Sequence, residues 1–510
     1  MNFKSIVLVS AGFLLCSTSF AENPNVEKDS VMQNLETEKI IVNKKDASPF
    51  NNGKFEGWGT SFCWWPNRIG YDDELAQKAA KAFYSPEGLG FNIIRYNIGG
   101  GDDPSHHHIT RTDSDVPGYL YLDENGNPYY DWSADHNQRN VLKEALKVGQ
   151  NVIVEAFSNS PPYFMTNSGC SSGAVDSSKN NLRDDQYEAF AEYMATVIEH
   201  YKNEEGIVFS SCDPMNEPAT SYWGANSWKQ EGCHFDMGES QSRMLLEMKK
   251  ALERHNLNDV ILCGTDETDI DVAAFAYKQL SKEAKKSISR IDAHTYGGVD
   301  REALKNLAKK EKKNLWMSEV DGGYEAGENA GEMSCPLWLA NRIVLDMNGM
   351  QPSAWIMWQA IDCHISKEGR NGNKDWAPSN FNGGYWGLAV CNHDTKEIIL
   401  TKKYYTMAQF SRYIKPGATI IASSDHSLAA YDKDKKQLVI VVVNDKAKDR
   451  NCQIDLSCFK KLGEKATVIR TSNNPGEDCA EIAPLNIVEK TLNAFLLGNS
   501  VTTYVVDNVL

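Results

Sequence analysis

Short apolar runs alternate with longer helical patterns between about residues 55 and 395. Most runs are apolar at nearly every position, which is typical of parallel strands buried on both faces. The segments between them have the period of amphipathic helices, as in 183–201 and 241–256. Eight strand–helix units over this length predict an α/β fold, a (β/α)8 TIM barrel. The runs lie at 57–62, 91–97, 151–156, 207–212, 260–263, 290–293, 314–318 and 353–358.

A doubly wound parallel sheet is the alternative to the barrel. It is disfavoured because no GxGxxG turn follows the first run. The three glycines at 99–101 form a turn rather than a phosphate cradle, since neither a Lys-Ser/Thr pair nor a helix start follows them closely.

The pattern of apolar runs changes after about residue 396. Short β-type runs recur there at hairpin spacing, which predicts an all-β antiparallel sandwich attached to the barrel. A stray apolar stretch at 39–42 is expected to add a strand to this sandwich. We therefore predict an N-terminal strand segment at 35–54, a barrel at 55–395 and a sandwich at 396–510. The sandwich runs lie at 419–422, 428–431, 437–443, 466–470 and 501–506.

The first 21 residues are typical of a signal peptide. Lys4 precedes an apolar run at 6–15, and Ser19 and Ala21 supply the small residues of a cleavage site. A lipoprotein anchored at Cys16 is the less favoured alternative, because Leu15 fits lipoprotein processing poorly. We predict a secreted or periplasmic protein with a disordered segment at 22–34. No later stretch is long and apolar enough to span a membrane.

Composition and charge narrow the class of partner. The 510 residues carry 41% hydrophobic side chains and a net charge of −16. A substantial core is possible, but a nucleic acid or an anionic membrane would favour a basic surface. A neutral polysaccharide or oligosaccharide fits better, and we expect a monomer.

The cysteines and histidines give little support for a metal. There is no CxxC pair or HExxH helix, and the consecutive histidines at 106–108 are expected to form a polar loop. We predict neither a metal nor a cofactor. Cys212 and Cys263 lie in apolar runs and are expected to be buried thiols, whereas Cys170 and Cys233 lie in loops and are predicted to form a disulfide.

Two glutamates stand at the ends of predicted barrel strands. Glu217 closes the segment 213–217 after strand 4, and Glu319 closes 315–319 after strand 7. Barrel enzymes place their catalytic groups at these ends. Cleavage of a glycosidic bond needs one carboxylic acid and one facing carboxylate, with the pKa of the acid raised and the other group ionised. The competing interpretation is that strand-end acids are structural salt-bridge partners, but the pairing of the two favours catalysis.

Aromatic and polar residues near the strand ends are further candidates. Sugar rings stack on aromatic side chains, so Trp65, Trp223 and Trp358 are predicted to line a sugar site. Trp64 is equally open to a core role, whereas Trp58 and Trp355 are expected in the core. Asn159, Asp266 and Glu267 either bind sugar hydroxyls or cap the following helix.

Several motifs resemble glycoside hydrolase family 30. They are GWGTS at 57–61, Asn-Glu-Pro at 216–218 and Ser-Glu at 318–319. Three more specific segments resemble the branch that contains endo-β-1,6-galactanases, namely SFCWW at 61–65, EAFSNSPP at 155–162 and QEGCHF at 230–235. The resemblance covers nearly all of the chain after the signal peptide.

This resemblance implies a retaining, endo-acting hydrolase of β-1,6-galactan. Glu217 would be the acid/base and Glu319 the nucleophile. Asn216 would bind the sugar hydroxyl beside the reacting carbon, and Arg95 would hold the nucleophile ionised. Tyr296, in a segment that also contains His294, would donate to the nucleophile.

Two alternatives stay open. One keeps the mechanism but changes the substrate to β-1,6-glucan or glucuronoxylan. The other is an inactive carbohydrate-binding barrel, against which the two glutamates and Arg95 speak.

Overall fold

The computed structural model describes residues 35–105, 107–322, 332–371, 375–376 and 386–510. The predicted signal peptide, 1–21, and the segment 22–34 lie outside the described residues, as does His106 of the histidine run.

Eight parallel strands close into a barrel, and the predicted fold class is thereby confirmed. The first and last strands pair directly, with Trp58 opposite Trp355. Both indoles are fully buried, as expected from the sequence. In chain order, strands 1 to 8 of the barrel are Gly57–Phe62, Ile93–Asn97, Ile153–Phe157, Ser211–Asp213, Ile261–Asp269, Ile288–Gly297, Asn314–Glu319 and Ala354–Met357.

Helices surround the barrel and follow its strands. Several bury an apolar stripe; in Glu239–Arg254, for example, Met244, Leu245 and Met248 are fully buried. The helices are Trp65–Ile69, Asp73–Tyr84, His136–Val148, Tyr187–Glu204, Glu239–Arg254, Ile270–Gln279, Lys282–Ser287, Arg301–Glu311, Ser334–Gly349 and Lys402–Ser411, with 3₁₀ turns at Lys44–Asp46, Asn51–Gly53 and Tyr163–Met165.

Three barrel strands differ by more than two residues from their predicted bounds. Strand 4 is only Ser211–Asp213, because the stretch 207–210 joins the preceding helix to the barrel; Ile207 N, for instance, donates to Tyr201 O at 2.9 Å. Strands 5 and 6 extend past the predicted ends at 263 and 293. Their last residues are polar because they face the mouth of the barrel, so an apolar pattern cannot detect them.

Nine strands form one sheet that folds over a second hydrophobic core. The strand Thr37–Ile41 lies at its edge, parallel to Arg450–Asp455, with Ile40 opposite Ile454. Three strands of this sandwich were not predicted, because polar residues interrupt their apolar pattern. In sheet order the strands are Thr37–Ile41, Arg450–Asp455, Thr491–Leu496, Ala480–Val488, Lys465–Ser472, Ser500–Val506, Gln437–Asn444, Ser427–Asp432 and Thr419–Ala422.

The helix Lys402–Ser411 contacts both the barrel and the sandwich. Shortly after its end, Ile414 O accepts a hydrogen bond from the indole of Trp58 at 2.8 Å. The Gln409 side chain bonds Thr503 of the sandwich. The predicted boundary at 395/396 therefore falls ahead of a helix that packs on the barrel. Four short strands precede it, Ile361–Ser366, Asp375–Trp376, Ala389–Asn392 and Glu397–Leu400, and a separate hairpin pairs Leu120–Leu122 with Pro128–Tyr130.

The predicted disulfide between Cys170 and Cys233 is wrong. Both are free thiols in separate surroundings, with Cys170 Sγ 3.5 Å from Asn226 Oδ1 and Cys233 Sγ 3.7 Å from His234 O. Loop position alone does not bring two sulfur atoms within bonding distance. Cys212 and Cys263 are buried thiols, as expected. In the described part of the chain, no helix has the length and apolar character needed to cross a membrane.

Candidate active site

Glu217 and Glu319 meet at the mouth of the barrel. Glu319 is the last residue of strand 7, and Glu217 lies four residues beyond strand 4. An oxygen of one carboxylate lies within 4.8 Å of an oxygen of the other. The backbone of Glu217 is left-handed, with a φ of 46°, and its N–H donates to Asp266 O at 2.9 Å. The loop that carries Glu217 is thus tied to the end of strand 5.

Arg95 and Tyr296 both donate to Glu319. Arg95 Nη1 lies 2.7 Å from Glu319 Oε2, and the Tyr296 hydroxyl lies 3.0 Å from Oε1. Arg95 also donates to Asn216 Oδ1 at 2.7 Å and pairs with Asp266. The guanidinium is fully buried, so its ion pairs are not weakened by water. These side chains come from five different strand ends and are brought together only by closure of the barrel.

His294 lies between the two glutamates and Asp266. Its Nδ1 lies 3.1 Å from Glu217 Oε1 and 3.6 Å from Glu319 Oε1, and its Nε2 lies 3.1 Å from Asp266 Oδ1. The Ser318 hydroxyl donates to the same Asp266 oxygen at 2.7 Å. Both ring nitrogens of His294 therefore face carboxylates, which an imidazolium satisfies by donating from each.

The charges of the site are strongly coupled. Burial alone would lower the pKa of His294, but Glu319 and Asp266 raise it well above its ordinary value. Burial raises the pKa of Glu217, but hydrogen bonds from His294 and Tyr222 outweigh burial and leave it lowered. Burial raises the pKa of Glu319, and the opposing cations His294 and Arg95 do not cancel that rise. The free site therefore stores a proton on His294, one hydrogen bond away from Glu217.

Asp266 was considered only as a residue that binds sugar hydroxyls or caps a helix, and Tyr222 was missed as a site residue. Asp266 is fully buried and binds both Arg95 and His294. The hydroxyl of Tyr222 donates to Glu217 Oε2, although 56% of the residue is exposed. Asp266 lies at a strand end, which was the available signal. Tyr222 lies in a loop, where nothing in the pattern distinguishes it.

A cleft of about 440 Å³ opens above the two glutamates. One part of its wall is aromatic: Trp64 and Trp358 pack edge to face with ring centroids 5.0 Å apart, and Trp386 stacks on Tyr296 at 6.1 Å. Trp223 also lines the cleft, as predicted, but Trp386 was not predicted. The remaining lining residues are Ser172, Asn216, Glu217, Tyr222, Ser227, Lys229, Gln230, Thr268 and Glu319.

Besides Arg95 and His294, three predicted site residues lie outside the cleft lining. Trp65 is fully buried, and its indole N–H donates to Ser61 O at 2.9 Å, so this residue belongs to the core. Asn159 is buried beside Cys63, with Nδ2 at 3.4 Å from Sγ. Glu267 accepts a hydrogen bond from Ala219 N at 3.0 Å, and burial raises its pKa to about 8. Glu267 therefore supports the loop that follows Glu217.

The side chains at the centre are a poor metal site. Glu217, His294 and Glu319 offer three ligand atoms within 4.8 Å of one another. A histidine ligand must be deprotonated at the nitrogen that binds the metal, whereas both ring nitrogens of His294 already face carboxylates, Nδ1 that of Glu217 and Nε2 that of Asp266. In the described part of the histidine run, His108 instead pairs with Asp102 at 2.7 Å and contacts Ser172 at 2.9 Å.

Comparison with known proteins identifies the family. Residues 29–272 match the model described as O-glycosyl hydrolase family 30. An endo-β-1,6-galactanase from Hypocrea rufa is 30% identical over 485 residues, covering 90% of this chain and 93% of the relative. The chain belongs to glycoside hydrolase family 30. The resemblance inferred from the motifs is confirmed, and the substrate of this family 30 glycosidase is a carbohydrate.

Other relatives of this family 30 chain are more distant. An exo-β-1,6-galactobiohydrolase from Bifidobacterium longum subsp. longum is 25% identical, covering 82% of this chain and 35% of the relative. The crystal structure of a conserved exported protein from Bacteroides fragilis has a TM-score of 0.72 at 21% identity, covering 92% of this chain and all of that one. Glucuronoxylanases and an endo-β-1,6-glucanase also match, at 18 to 23% identity.

Proposed function

We propose that this family 30 protein is a retaining, endo-acting hydrolase of β-1,6-galactan, with Glu217 as acid/base and Glu319 as nucleophile. The observation that carries the mechanism is the close approach of the two carboxylates, whose oxygens come within 4.8 Å of each other. Retaining enzymes hold their carboxyl groups about 5–5.5 Å apart, whereas inverting enzymes leave room for a water between them.

The first step transfers the sugar to the protein. Glu217 gives its proton to the glycosidic oxygen as the bond from that oxygen to C1 breaks, and a Glu319 oxygen bonds C1 from the opposite face. Arg95 and Tyr296 donate to Glu319 and orient its attack. In the second step Glu217 takes a proton from water, the hydroxyl adds to C1 and Glu319 leaves, which restores the original configuration.

The proton for the first step comes from His294. His294 Nδ1 and Glu217 Oε1 lie 3.1 Å apart, so a shift along this one hydrogen bond converts an imidazolium and a carboxylate into a neutral pair. Asp266 holds the other ring nitrogen and keeps the ring oriented. The lowered pKa of Glu217 is compatible with an acid role because the Glu217–His294 pair, not Glu217 alone, stores the proton.

Azide rescue tests the two roles. Removing Glu319 in E319A leaves a space on the face opposite the leaving group, so azide should form the inverted α-glycosyl azide. In E217A, azide should instead attack the glycosyl–enzyme and form the retained β-azide. Without azide, both variants should lose about 1000-fold or more in kcat. Identical products from both variants would contradict the assignment.

The substrate proposal is supported by the galactanase and galactobiohydrolase relatives. Product release from β-1,6-galactan, β-1,6-glucan and glucuronoxylan, measured side by side, tests it. Activity on either of the latter two alone would overturn it. An inactive carbohydrate-binding barrel remains the second alternative; it predicts that wild type and E319Q bind galacto-oligosaccharides equally and that neither releases product.

We also propose export through a cleaved N-terminal signal, supported by the apolar run at 6–15 and the small residues before position 22. Mass spectrometry of the protein from its native host should find an N-terminus at residue 22. A lipid-modified Cys16 would replace this proposal with the lipoprotein alternative.

A further inference from the structure

The short strands that follow barrel strand 8 carry a buried cluster of His364, Cys391 and His393. In the parallel pair of Ile361–Ser366 with Ala389–Asn392, Cys391 lies opposite His364. His393 follows Cys391 by two residues, and alternate side chains along a strand project to the same side. The three residues are at most 6% exposed. Two imidazoles and a thiol are thus gathered on one face of a sheet, away from the catalytic glutamates.

The cluster is close to the geometry of a metal site. One ligand atom of each residue lies within 4.8 Å of a ligand atom of the other two. Nδ1 of His364 lies 3.0 Å from Nε2 of His393. Two nitrogens that share a tetrahedral cation at about 2.0 Å lie about 3.3 Å apart. A displacement of a few tenths of an ångström would therefore place an ion between the two rings.

Hydrogen bonding alone does not explain why the two imidazoles are buried together. The Tyr71 hydroxyl lies 3.1 Å from Nδ1 of His393, and the two rings stack with centroids 5.9 Å apart. A proton on Nδ1, donated to Tyr71, leaves a lone pair on Nε2, which is the usual arrangement of a metal-binding histidine. In contrast, Nε2 of His364 is buried and has no hydrogen-bond partner among the described residues, although buried polar atoms are nearly always paired.

The protonation states of the three side chains suit a cation. Burial lowers the pKa of both imidazoles, that of His393 to about 3, so each ring is neutral and offers a lone pair. Burial also raises the pKa of the Cys391 thiol to about 12. A bound metal ion replaces the thiol proton and leaves a thiolate. Binding of one ion therefore releases one proton.

We propose that His364, Cys391 and His393 bind one copper(I) ion, which cross-links the two strands. A thiolate selects a soft cation, and a trigonal set of two imidazoles and one thiolate is typical of copper. Structural Zn²⁺ takes four ligands, whereas the described residues of the cluster offer three. The thiolate also neutralises a monovalent ion completely, so that binding adds no net charge near Arg68, whose guanidinium acts on both rings.

Competition with bathocuproine disulfonate, a coloured chelator of Cu⁺, tests the site. Tag-free protein is reduced, kept without oxygen and titrated with Cu⁺ in the presence of the chelator. It should take one ion per chain, and Zn²⁺ measured with its own chelator should bind more weakly. X-ray absorption of the Cu⁺ complex should show one sulfur and two nitrogen ligands. Failure to compete, or a ligand shell without sulfur, would overturn the inference, and tighter binding of Zn²⁺ would overturn the choice of ion.

Variants assign the binding to these side chains. C391S keeps the size of the side chain but removes the thiolate, and should raise the Kd for Cu⁺ by about 100-fold or more, because loss of an outer partner alone costs about 10- to 100-fold. Y71F removes such an outer partner and should raise the Kd by about 10-fold. C458S removes an exposed thiol and is the matched control, with the Kd of wild type. An unchanged Kd in C391S would contradict the proposed ligands.

Thermal unfolding gives a second readout that requires no sugar. Cu⁺ should raise the Tm of wild type and of C458S, because an ion that binds only the folded chain stabilises it. It should leave the Tm of C391S unchanged. A Tm of wild type that does not respond to Cu⁺ would overturn the site, even if C391S failed to fold. The result is independent of the proposed function, since neither measurement involves the glutamates or a glycan.

Discussion

His294 Nδ1 lies 3.1 Å from Glu217 Oε1, and both side chains are almost completely buried. A proton on this hydrogen bond belongs to the pair, because either group can hold it without exchange with water. Asp266, at 3.1 Å from Nε2, ensures that the second nitrogen donates in both forms. In this arrangement His294 stores the proton and Glu217 delivers it to the substrate.

Replacing His294 should therefore change the pH dependence as well as the rate. In H294Q the proton must be held by Glu217 alone, so the alkaline limb of kcat/KM should move to lower pH. The limb of wild type should lie above pH 6.5, since the surrounding carboxylates raise the pKa of His294. We expect kcat to fall by about 10- to 100-fold. The measurement is a full pH profile with a galacto-oligosaccharide.

Asp266→Asn provides the comparison for H294Q. Loss of this carboxylate removes one of the groups that raise the pKa of His294, so the alkaline limb should move in the same direction by a smaller amount. If either variant lowered the rate equally at every pH and left the limb in place, His294 would be a structural residue only.

Replacing Tyr222 should shift the alkaline limb of kcat/KM in the opposite direction, to higher pH. Its hydroxyl donates to Glu217 Oε2 and stabilises the ionised form of that carboxylate. In Y222F the pKa of Glu217 should rise, and the alkaline limb should move to higher pH. Loss of a hydrogen bond to a charged group costs about 1.5–3 kcal/mol, so kcat/KM should fall by roughly 10-fold or more.

The matched control for Y222F is Tyr129→Phe, which removes the hydroxyl of another exposed tyrosine, on the hairpin strand Pro128–Tyr130. Its profile should match that of wild type. A limb that moves to lower pH in Y222F would show that Tyr222 does not stabilise the anion of Glu217.

The barrel and the catalytic pair could be predicted from the sequence because both depend on local patterns. Continuous apolar runs mark buried parallel strands, and strand order then places Glu217 and Glu319 at one mouth. The contacts of Asp266 could not be predicted. It adjoins Glu267 on strand 5, and its φ of 54° turns the two side chains into different surroundings. Only Asp266 reaches Arg95 and His294; Glu267 instead accepts from Ala219 N.

The positions of Trp64 and Trp65 likewise could not be predicted from the sequence pattern. Trp64 has a φ of 72°, and the helix Trp65–Ile69 begins directly after it. This reversal turns Trp64 into the cleft and Trp65 into the core, although the sequence favours the second of the pair for the cleft. A backbone conformation that L-residues rarely adopt leaves no signal in an apolar pattern.

The corrected roles of the tryptophans predict two different phenotypes. Trp386→Ala removes a cleft ring that stacks on Tyr296, so KM should rise by about 10-fold, the value of one aromatic–sugar contact, with little change in Tm. Trp65→Ala should lower the free energy of unfolding by about 3–5 kcal/mol, because the indole is fully buried. Steady-state kinetics and chemical denaturation distinguish them. A Trp65→Ala variant that is stable but has a raised KM would show that Trp65 lines the cleft and does not belong to the core.

Asp135 gives a prediction for stability away from the site. Its Oδ2 accepts hydrogen bonds from Tyr96 at 2.5 Å, Tyr119 at 3.0 Å and Gln138 at 2.8 Å. Burial nevertheless dominates and raises its pKa to about 7. Between the ordinary pKa of 3.8 and about 7, the folded protein holds a proton that the unfolded chain has lost. The contribution of Asp135 to stability is therefore greatest below that window and declines as pH rises through it.

Asp135→Asn should remove this pH dependence, because asparagine is neutral and tolerates the left-handed backbone at this position, where φ is 51°. Relative to wild type, the variant should gain about 1–3 kcal/mol in free energy of unfolding between pH 5 and pH 8. Urea denaturation at pH 5 and at pH 8 gives the stability difference between the variant and wild type at each pH. Any cost of the amide that does not depend on pH is the same in both differences and cancels when they are compared. Asp123→Asn is the control, since hydrogen bonds from Asn127 lower the pKa of that exposed carboxyl and no gain is expected. Parallel stability curves for wild type and Asp135→Asn would mean that Asp135 is ionised throughout this range.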